Sequence, residues 1–331
     1  MNRRLMDSTV VIDLGVLALG VVLLVSSVPA CSDDDSASTR VDARTDALQD
    51  AAAFDVETNR DASVDGHILV DASLDAQPED GGAEPFVPYF HDDFESYADG
   101  QSLTGGQPFG AAGRTVASAE VAHWGSRSAR MEIQEGDGGG FGRWGGILSL
   151  DPALPKGSEV WVSLWVYWPA SFQFTASPWM KFLRLHNRTG TGENGGYNDL
   201  YVDNADGATS VLRTIKENHD VWAVYDGPSL PRDQWERYEM YLFIDDKSVD
   251  EGGSGRVRIW RNDELIFDRT DVPTITEAQG TINAFYLFTY WNNENPPNNH
   301  LFVDDLVIAT SDSPPPNFDS AGNRFIGDWP Q

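Results

Sequence analysis

Residues 159–168 read E-V-W-V-S-L-W-V-Y-W, an almost unbroken run of β-branched, aromatic and leucine side chains. Such a run is too apolar for a half-exposed strand. It predicts a strand in the middle of a sheet with both faces covered. W-E-R-Y-E-M-Y-L-F-I (235–244) alternates instead, and puts Tyr238, Met240, Leu242 and Ile244 on its drier face. G-R-V-R-I-W-R-N-D-E-L-I-F-D (255–268) has the signature of a hairpin turning at Asn262-Asp263. I-N-A-F-Y-L-F-T-Y-W (282–291) and H-L-F-V-D-D-L-V-I-A-T (300–310) complete the series. No segment sustains a 3.6-residue apolar period, so helix content is expected to be low. Many strands joined by Gly, Pro and Asn turns imply an all-β sandwich or jelly roll.

These strands do not fill the chain, because its composition is uneven. The start, M-N-R-R-L-M-D, is basic, an apolar run follows from Leu14 to Val25, and S-S-V-P-A-C ends at Cys31. Residues 1–30 therefore read as a signal peptide. A membrane span needs about 20 apolar residues, and Asp13 leaves this run shorter. Residues 31–85 read as a disordered tether: from residue 32 on they hold fifteen acids against Arg40, Arg44 and Arg60, with Phe54 as the sole aromatic residue. Such a segment buries too little apolar surface to offset chain entropy and extends by self-repulsion. It lacks the glycines and fixed period of a calcium-binding repeat. Cys31 is the only cysteine, so no intrachain disulfide forms. V-P-A-C resembles a bacterial lipobox, with Val28 and Pro29 departing from its usual residues. The resemblance implies lipidation at Cys31, anchorage at a bacterial outer membrane or cell surface, and membrane contact through the lipid alone.

The globular part is assigned to residues 86–313, with 314–331 as a tail. All eleven tryptophans lie between Trp124 and Trp329, and 35 acids against 18 basic residues remain after residue 85. That balance argues against a nucleic-acid partner and repels a polyanion at long range. A monomer is expected.

One strand stands apart. In W-M-K-F-L-R-L-H (179–186), period two puts Met180, Phe182, Arg184 and His186 on one face, and Trp179, Lys181, Leu183 and Leu185 on the other. Trp179 to Gly192 carries Lys181, Arg184, His186 and Arg188 with no acid. Within a Debye length of about 8 Å such a patch outweighs distant negative charge.

The domain looks like a concanavalin A-like lectin/glucanase jelly roll. The opening F-H-D-D-F-E-S-Y-A-D-G (90–100), the hairpin 255–268 and the closing L-F-V-D-D-L-V-I-A-T carry the likeness. It implies two antiparallel sheets, one concave, with saccharide meeting the concave face. Jelly-roll glucanases carry E-x-D-x-x-E, which is absent here; Glu236 and Glu239 point to opposite faces. Jelly-roll alginate lyases carry Q-I-H, and Arg184-Leu185-His186 is similar to it. Arg130 and Glu132 in S-A-R-M-E-I resemble R-T-E-L-R, and Tyr286, Tyr290 and Asn292 in F-Y-L-F-T-Y-W-N-N resemble Y-F-K-A-G-x-Y-N-Q, without its lysine and glycine. The resemblance implies Arg184, His186 and Tyr290 as candidate catalytic groups of a β-elimination.

Aromatic, amide and cationic side chains suit sugar faces and hydroxyls. Arg130, Trp144, Lys181, Tyr197, Trp222, Tyr225, Trp291 and Asn292 are the candidate saccharide-binding residues, while Trp161, Trp165 and Trp260 are assigned to the core. Loops 141–146 and 190–199 are expected to rim the cleft. Asp93, Glu95, Asp304 and Asp305 are candidate ligands of a structural calcium ion, because clustered carboxylates favour a hard cation. The reading is a surface-anchored carbohydrate-binding jelly roll recognising a polysaccharide, or alternatively a polysaccharide lyase cleaving a uronate polymer. The tether makes a direct prediction: limited proteolysis is expected to cut within residues 32–85 well before the domain. A protected, compact segment would overturn that assignment.

Overall fold

The computed structural model describes residues 85–328, apart from 107, 111–113, 136, 138–144, 175–178, 204–209 and 292–297. The leader, Cys31, the tether up to residue 84, Trp144 and Asn292 lie outside the described residues, as do the side chains of Tyr290 and Trp291.

Sixteen strands follow in order: β1 (Phe90–Asp92), β2 (Thr115–Ser118), β3 (Ser128–Ile133), β4 (Gly146–Pro155), β5 (Glu159–Tyr167), β6 (Trp179–Arg188), β7 (Asn194–Asp203), β8 (Val211–Lys216), β9 (Val221–Val224), β10 (Trp235–Phe243), β11 (Arg256–Arg261), β12 (Glu264–Arg269), β13 (Thr281–Trp291), β14 (Asn299–Thr310), β15 (Asn317–Phe318) and β16 (Arg324–Phe325). Among the described residues the helical content is one short 3-10 turn, Glu217–His219, and no helix is long and apolar enough to cross a membrane. An eight-stranded antiparallel sheet runs β12-β11-β10-β5-β14-β3-β2, with β1 on β14, and a six-stranded one runs β4-β13-β6-β7-β8-β9. Neighbours far apart in sequence and a shared core make this an all-β sandwich of jelly-roll type, as expected.

Strand β5 sits between β10 and β14, the central place its composition required. Its Val160, Val162, Leu164 and Val166 meet the core with Tyr238, Met240, Leu242 and Ile244 from the β10 segment. The hairpin turns at Asn262 and Asp263, both with positive φ (48° and 69°), which matches the twist of the flanking strands. From the six-stranded sheet Phe182 stacks on Phe288 at 4.6 Å and meets the edges of Trp168 and Tyr238.

Strict alternation fails in β6. A register shift between Lys181 and Leu183 sends both Phe182 and Leu183 into the core, and Lys181 joins Arg184 and His186 on the outer face. The extra residue is a β-bulge, which a period-two reading cannot foresee. A second shift between Leu287 and Tyr290 bends β13. Gly145 makes room for it: with φ +81°, a Cβ there would lie 1.8 Å from the Leu287 carbonyl oxygen, so only glycine fits.

The C-terminal residues, set apart in the sequence as a tail, form a strap across the outer face of the eight-stranded sheet. Phe325 and Ile326 cover Trp161, Tyr241, Trp260, Val307 and Ala309. Trp161 Nε1 donates to the Arg324 carbonyl at 3.0 Å, and Trp260 Nε1 to Asp319 at 2.9 Å. Trp161 and Trp260 are thus buried outside the main core. Trp165 is a correction of the core assignment: it is half-buried on that outer face, stacked on His123 at 3.8 Å.

Glu239 fastens the strap, accepting the Ile326 and Gly327 N–H groups at 2.6 and 3.2 Å. Burial pushes its carboxyl up to about 7 against those two donors and Arg237. A folded pKa above the unfolded one contributes stability that is complete below about pH 4.5 and lost as pH rises through 7. Glu239→Gln is expected to remove roughly 3 kcal/mol of that decline, read as unfolding free energy in urea at pH 5 and pH 8. Equal slopes in parent and variant would contradict the assignment.

Candidate functional site

Strand β6 presents Lys181, Arg184 and His186 on the outer face of the six-stranded sheet. Register brings β7 alongside: Tyr201 opposite Lys181, Asp199 opposite Arg184, and Tyr197 opposite His186. On the other side β13 places Tyr290 opposite Lys181, Tyr286 opposite Arg184, and Ala284 opposite His186. The 3-10 turn after β8 brings in Glu217.

The face is not the open basic patch that residues 179–192 suggest. Arg184, His186, Asp199, Tyr197 and Tyr286 each have 0% exposure. The missing acids arrive from β7 and from the 3-10 turn after β8. Arg184 Nε donates to Asp199 Oδ1 at 2.9 Å and its Nη2 to Glu217 Oε1 at 3.0 Å. The same Glu217 oxygen accepts Lys181 Nζ at 3.2 Å and the Tyr201 hydroxyl at 2.9 Å. Burial would raise the Glu217 carboxyl, but Lys181 and Arg184 bring it down to about 2. Asp199 goes the other way: burial and the Glu217 charge hold it well above the usual carboxylate range, against the pull of Arg184 and Lys181. The two buried cations thus face one carboxylate held in its charged form and one that burial pushes toward its neutral form.

Next to it stands a ring cluster. The Arg184 guanidinium lies 3.5 Å from the centre of the Tyr197 ring. Tyr197 stacks on His186 at 4.6 Å, and Tyr286 meets both edge-on at 5.5 and 5.4 Å. Asn194 Oδ1 accepts the Gly196 N–H at 2.8 Å, so it is the amide oxygen, and His186 Nε2, 3.0 Å away, is its second donor. Burial depresses the imidazole to about 3. A neutral ring with its proton on Nε2 leaves an acceptor lone pair at Nδ1. His186 Nδ1 and the Tyr197 hydroxyl are buried without a hydrogen-bond partner. Buried polar atoms left unmatched cost about 1–3 kcal/mol each, and they call for a functional explanation.

The other expected residues scatter. Trp222 is on the same face, edge-on to Tyr201 at 5.6 Å with Arg213 over its ring at 5.1 Å. Tyr225 leaves that face and packs against the core. Arg130 belongs to β3 in the opposite sheet, tied to Glu132 and 3.6 Å from Glu120. In the stretch 190–199 only the first residues are loop, since β7 begins at Asn194. Of the four acids expected to bind calcium, Glu95, Asp304 and Asp305 hold the β2–β3 loop. Asp304 Oδ2 accepts the His123 N–H at 2.8 Å, Asp305 Oδ2 lies 3.0 Å from His123 Nδ1, and Glu95 accepts the Ser126 and Arg127 N–H groups at 2.7 and 2.6 Å. Asp93 accepts the Glu95 N–H at 3.1 Å. Among the described residues no group of three or more His, Cys, Asp or Glu side chains gathers as a metal site would require.

Sequence reasoning missed Asp199, Tyr201, Asn194 and Glu217. The first two were within reach: Tyr197, Asp199 and Tyr201 alternate in N-G-G-Y-N-D-L-Y-V-D, so a face reading of 194–203 groups them. Glu217 follows a chain reversal and carries no local signal.

No family model and no curated protein matches this chain. Solved structures similar to it include the alginate lyase Aly36B, at 13% identity over 66% of this chain and 95% of that one, with a TM-score of 0.49. Alginate lyase vAL-1 from Chlorella virus is 14% identical over 62% of this chain and 94% of that one, with a TM-score of 0.45. A cellulose-induced protein is 20% identical over 66% and 96%, with a TM-score of 0.43. At these identities the likeness says nothing of ligand or activity.

The two acids make opposite predictions. Glu217→Gln strips the counter-charge from two buried cations and is expected to cost about 3–5 kcal/mol. Asp199→Asn replaces a carboxyl that burial pushes toward its neutral form and is expected to cost under about 1.5 kcal/mol. Urea unfolding of both variants checks this; equal losses would contradict the opposite shifts of the two acids.

Proposed function

We propose that the domain binds a polysaccharide on the outer face of the six-stranded sheet, in a protein held at a cell surface by its N-terminal lipid. The observation that carries this is the pair of buried, unpartnered atoms, His186 Nδ1 and the Tyr197 hydroxyl, on rings stacked against each other. A sugar hydroxyl donates to the first and accepts from the second, and a ring stack beside it suits a pyranose face. The two cations of this face, Lys181 and Arg184, favour a sugar that bears a carboxylate. Because these residues are sealed from solvent, the face has to open before ligand enters, and association is expected to be slow.

Elimination is the second reading, supported by one observation: a neutral imidazole packs against the rings of two tyrosines, Tyr197 and Tyr286, the residue types a uronate lyase would use as base and acid. Its weakness is also chemical. An imidazole depressed to about 3 is a poor base near neutral pH, and Arg184 already spends its charge on Asp199 and Glu217.

Isothermal titration of the full chain against oligouronates and neutral glucans tests the first reading. His186→Ala and Tyr197→Phe are each expected to weaken binding by about 1 kcal/mol. Tyr197→Phe, which removes an unmatched buried hydroxyl, is expected to leave stability unchanged or higher. Unaltered affinity of both variants for every saccharide the parent binds would sink the reading. Growth of ultraviolet absorbance from unsaturated uronate, abolished by Tyr197→Phe, would establish elimination in place of binding alone.

A further inference from the structure

The outer face of the eight-stranded sheet carries a row of rings beyond the edge of the C-terminal strap. Trp235 on β10 is the direct cross-strand partner of Tyr167 on β5, Tyr167 of Phe302 on β14, and Phe302 of Arg130 on β3. Ring centres are 5.5 Å apart from Trp235 to Tyr167, 6.1 Å from Tyr167 to Phe302, and 5.5 Å from Phe302 to His300. Phe302 is the buried floor, while Trp235, Tyr167 and His300 stay partly open. At the other end His123 lies 5.7 Å from Trp235, and Trp124, 58% exposed, meets His123 at 5.3 Å. Four adjacent strands span about 14 Å across the sheet, enough for several sugar rings in line.

The row runs into a cleft of about 400 Å³ whose lining includes Arg130, Glu132, Gln134, Asn298 and His300. Amide, guanidinium and carboxylate groups there face the same opening as the rings. We propose that this row and cleft form a second saccharide site, on the opposite side of the sandwich from the first, that takes an uncharged polysaccharide chain. The partly open rings of Trp235, Tyr167 and His300 offer apolar surface to successive pyranose rings, and the cleft groups bond hydroxyls at the chain's end. Charge selects the neutral ligand. The single guanidinium of Arg130 faces the carboxylates of Glu132 and Glu120, so a uronate would meet more negative charge than positive. Burial and the Arg130 charge also lower the His300 pKa, which favours the uncharged ring. None of these residues belongs to the six-stranded face, so either site can fail without the other.

Titration of the full chain with cellohexaose, xylohexaose and an oligoguluronate tests the proposal. Binding of a neutral hexaose is expected to weaken about tenfold or more in Trp235→Ala and in Arg130→Ala, and to be untouched by His186→Ala. Oligoguluronate is expected not to compete. Near-ultraviolet circular dichroism checks that Trp235→Ala is folded, and Arg130→Ala, at a partly exposed position, gives the same readout should it not be. No binding of either neutral hexaose, or equal affinity in parent and Arg130→Ala, overturns the second site. Capture of a neutral hexaose that His186→Ala abolishes would also overturn it, by placing that ligand on the six-stranded face.

Discussion

Arg184 holds a guanidinium with no exposure to water on a sheet face, and the architecture around it is the arrangement that makes this tolerable. Desolvating a cation costs several kcal/mol unless charge and hydrogen bonds replace the water. Asp199 and Glu217 supply both, from a neighbouring strand and from the turn beyond the next one. Because one Glu217 oxygen serves Arg184, Lys181 and Tyr201 together, β6, β7 and the turn after β8 are tied at a single atom. Tyr197 then lies flat on the guanidinium and against His186, so the rings that form the candidate site inherit their positions from the ion cluster. Two carboxyls on one guanidinium repel each other, and that repulsion adds to burial in raising Asp199.

The two outer faces solve the problem of surplus apolar surface differently. On the eight-stranded sheet the strap of residues 317–328 covers Trp161, Tyr241 and Trp260, a cluster separate from the Trp235–Tyr167–Phe302 row. Phe86, near the first described residue, packs against the same covered cluster. Both ends of the described chain therefore meet the eight-stranded side, and the buried charge cluster occupies the other. Lone exposed rings are ordinary on protein surfaces; rings in cross-strand register, ending at a polar cleft, are a patch.

Much of the fold was legible because strands announce themselves locally. The dryness of 159–168 required a central strand, and β5 is central; Asn262-Asp263 required a turn with positive φ at both residues, and both have it. The site was legible only in part. Arg184 and His186 were grouped correctly, since they lie beyond the bulge. Lys181 was put on the wrong face, since a single extra residue reverses every side chain before it. Arg130 was drawn into the same site by a short motif, although β3 pairs into the other sheet.

By itself the sequence determined the class of fold, the strand inventory, the acidic balance and the presence of a polar pair on one strand, all properties of residues near each other in the chain. Tertiary structure alone decided what that pair does. Whether Arg184 meets a ligand or a carboxylate depends on residues 15 and 33 positions away. Their approach is fixed by cross-strand register and by a turn after β8, which no local pattern encodes. The low-dielectric interior then set the protonation states. Burial turned a histidine that looks like a base into a neutral acceptor, and turned an apparent excess of positive charge into a nearly balanced cluster.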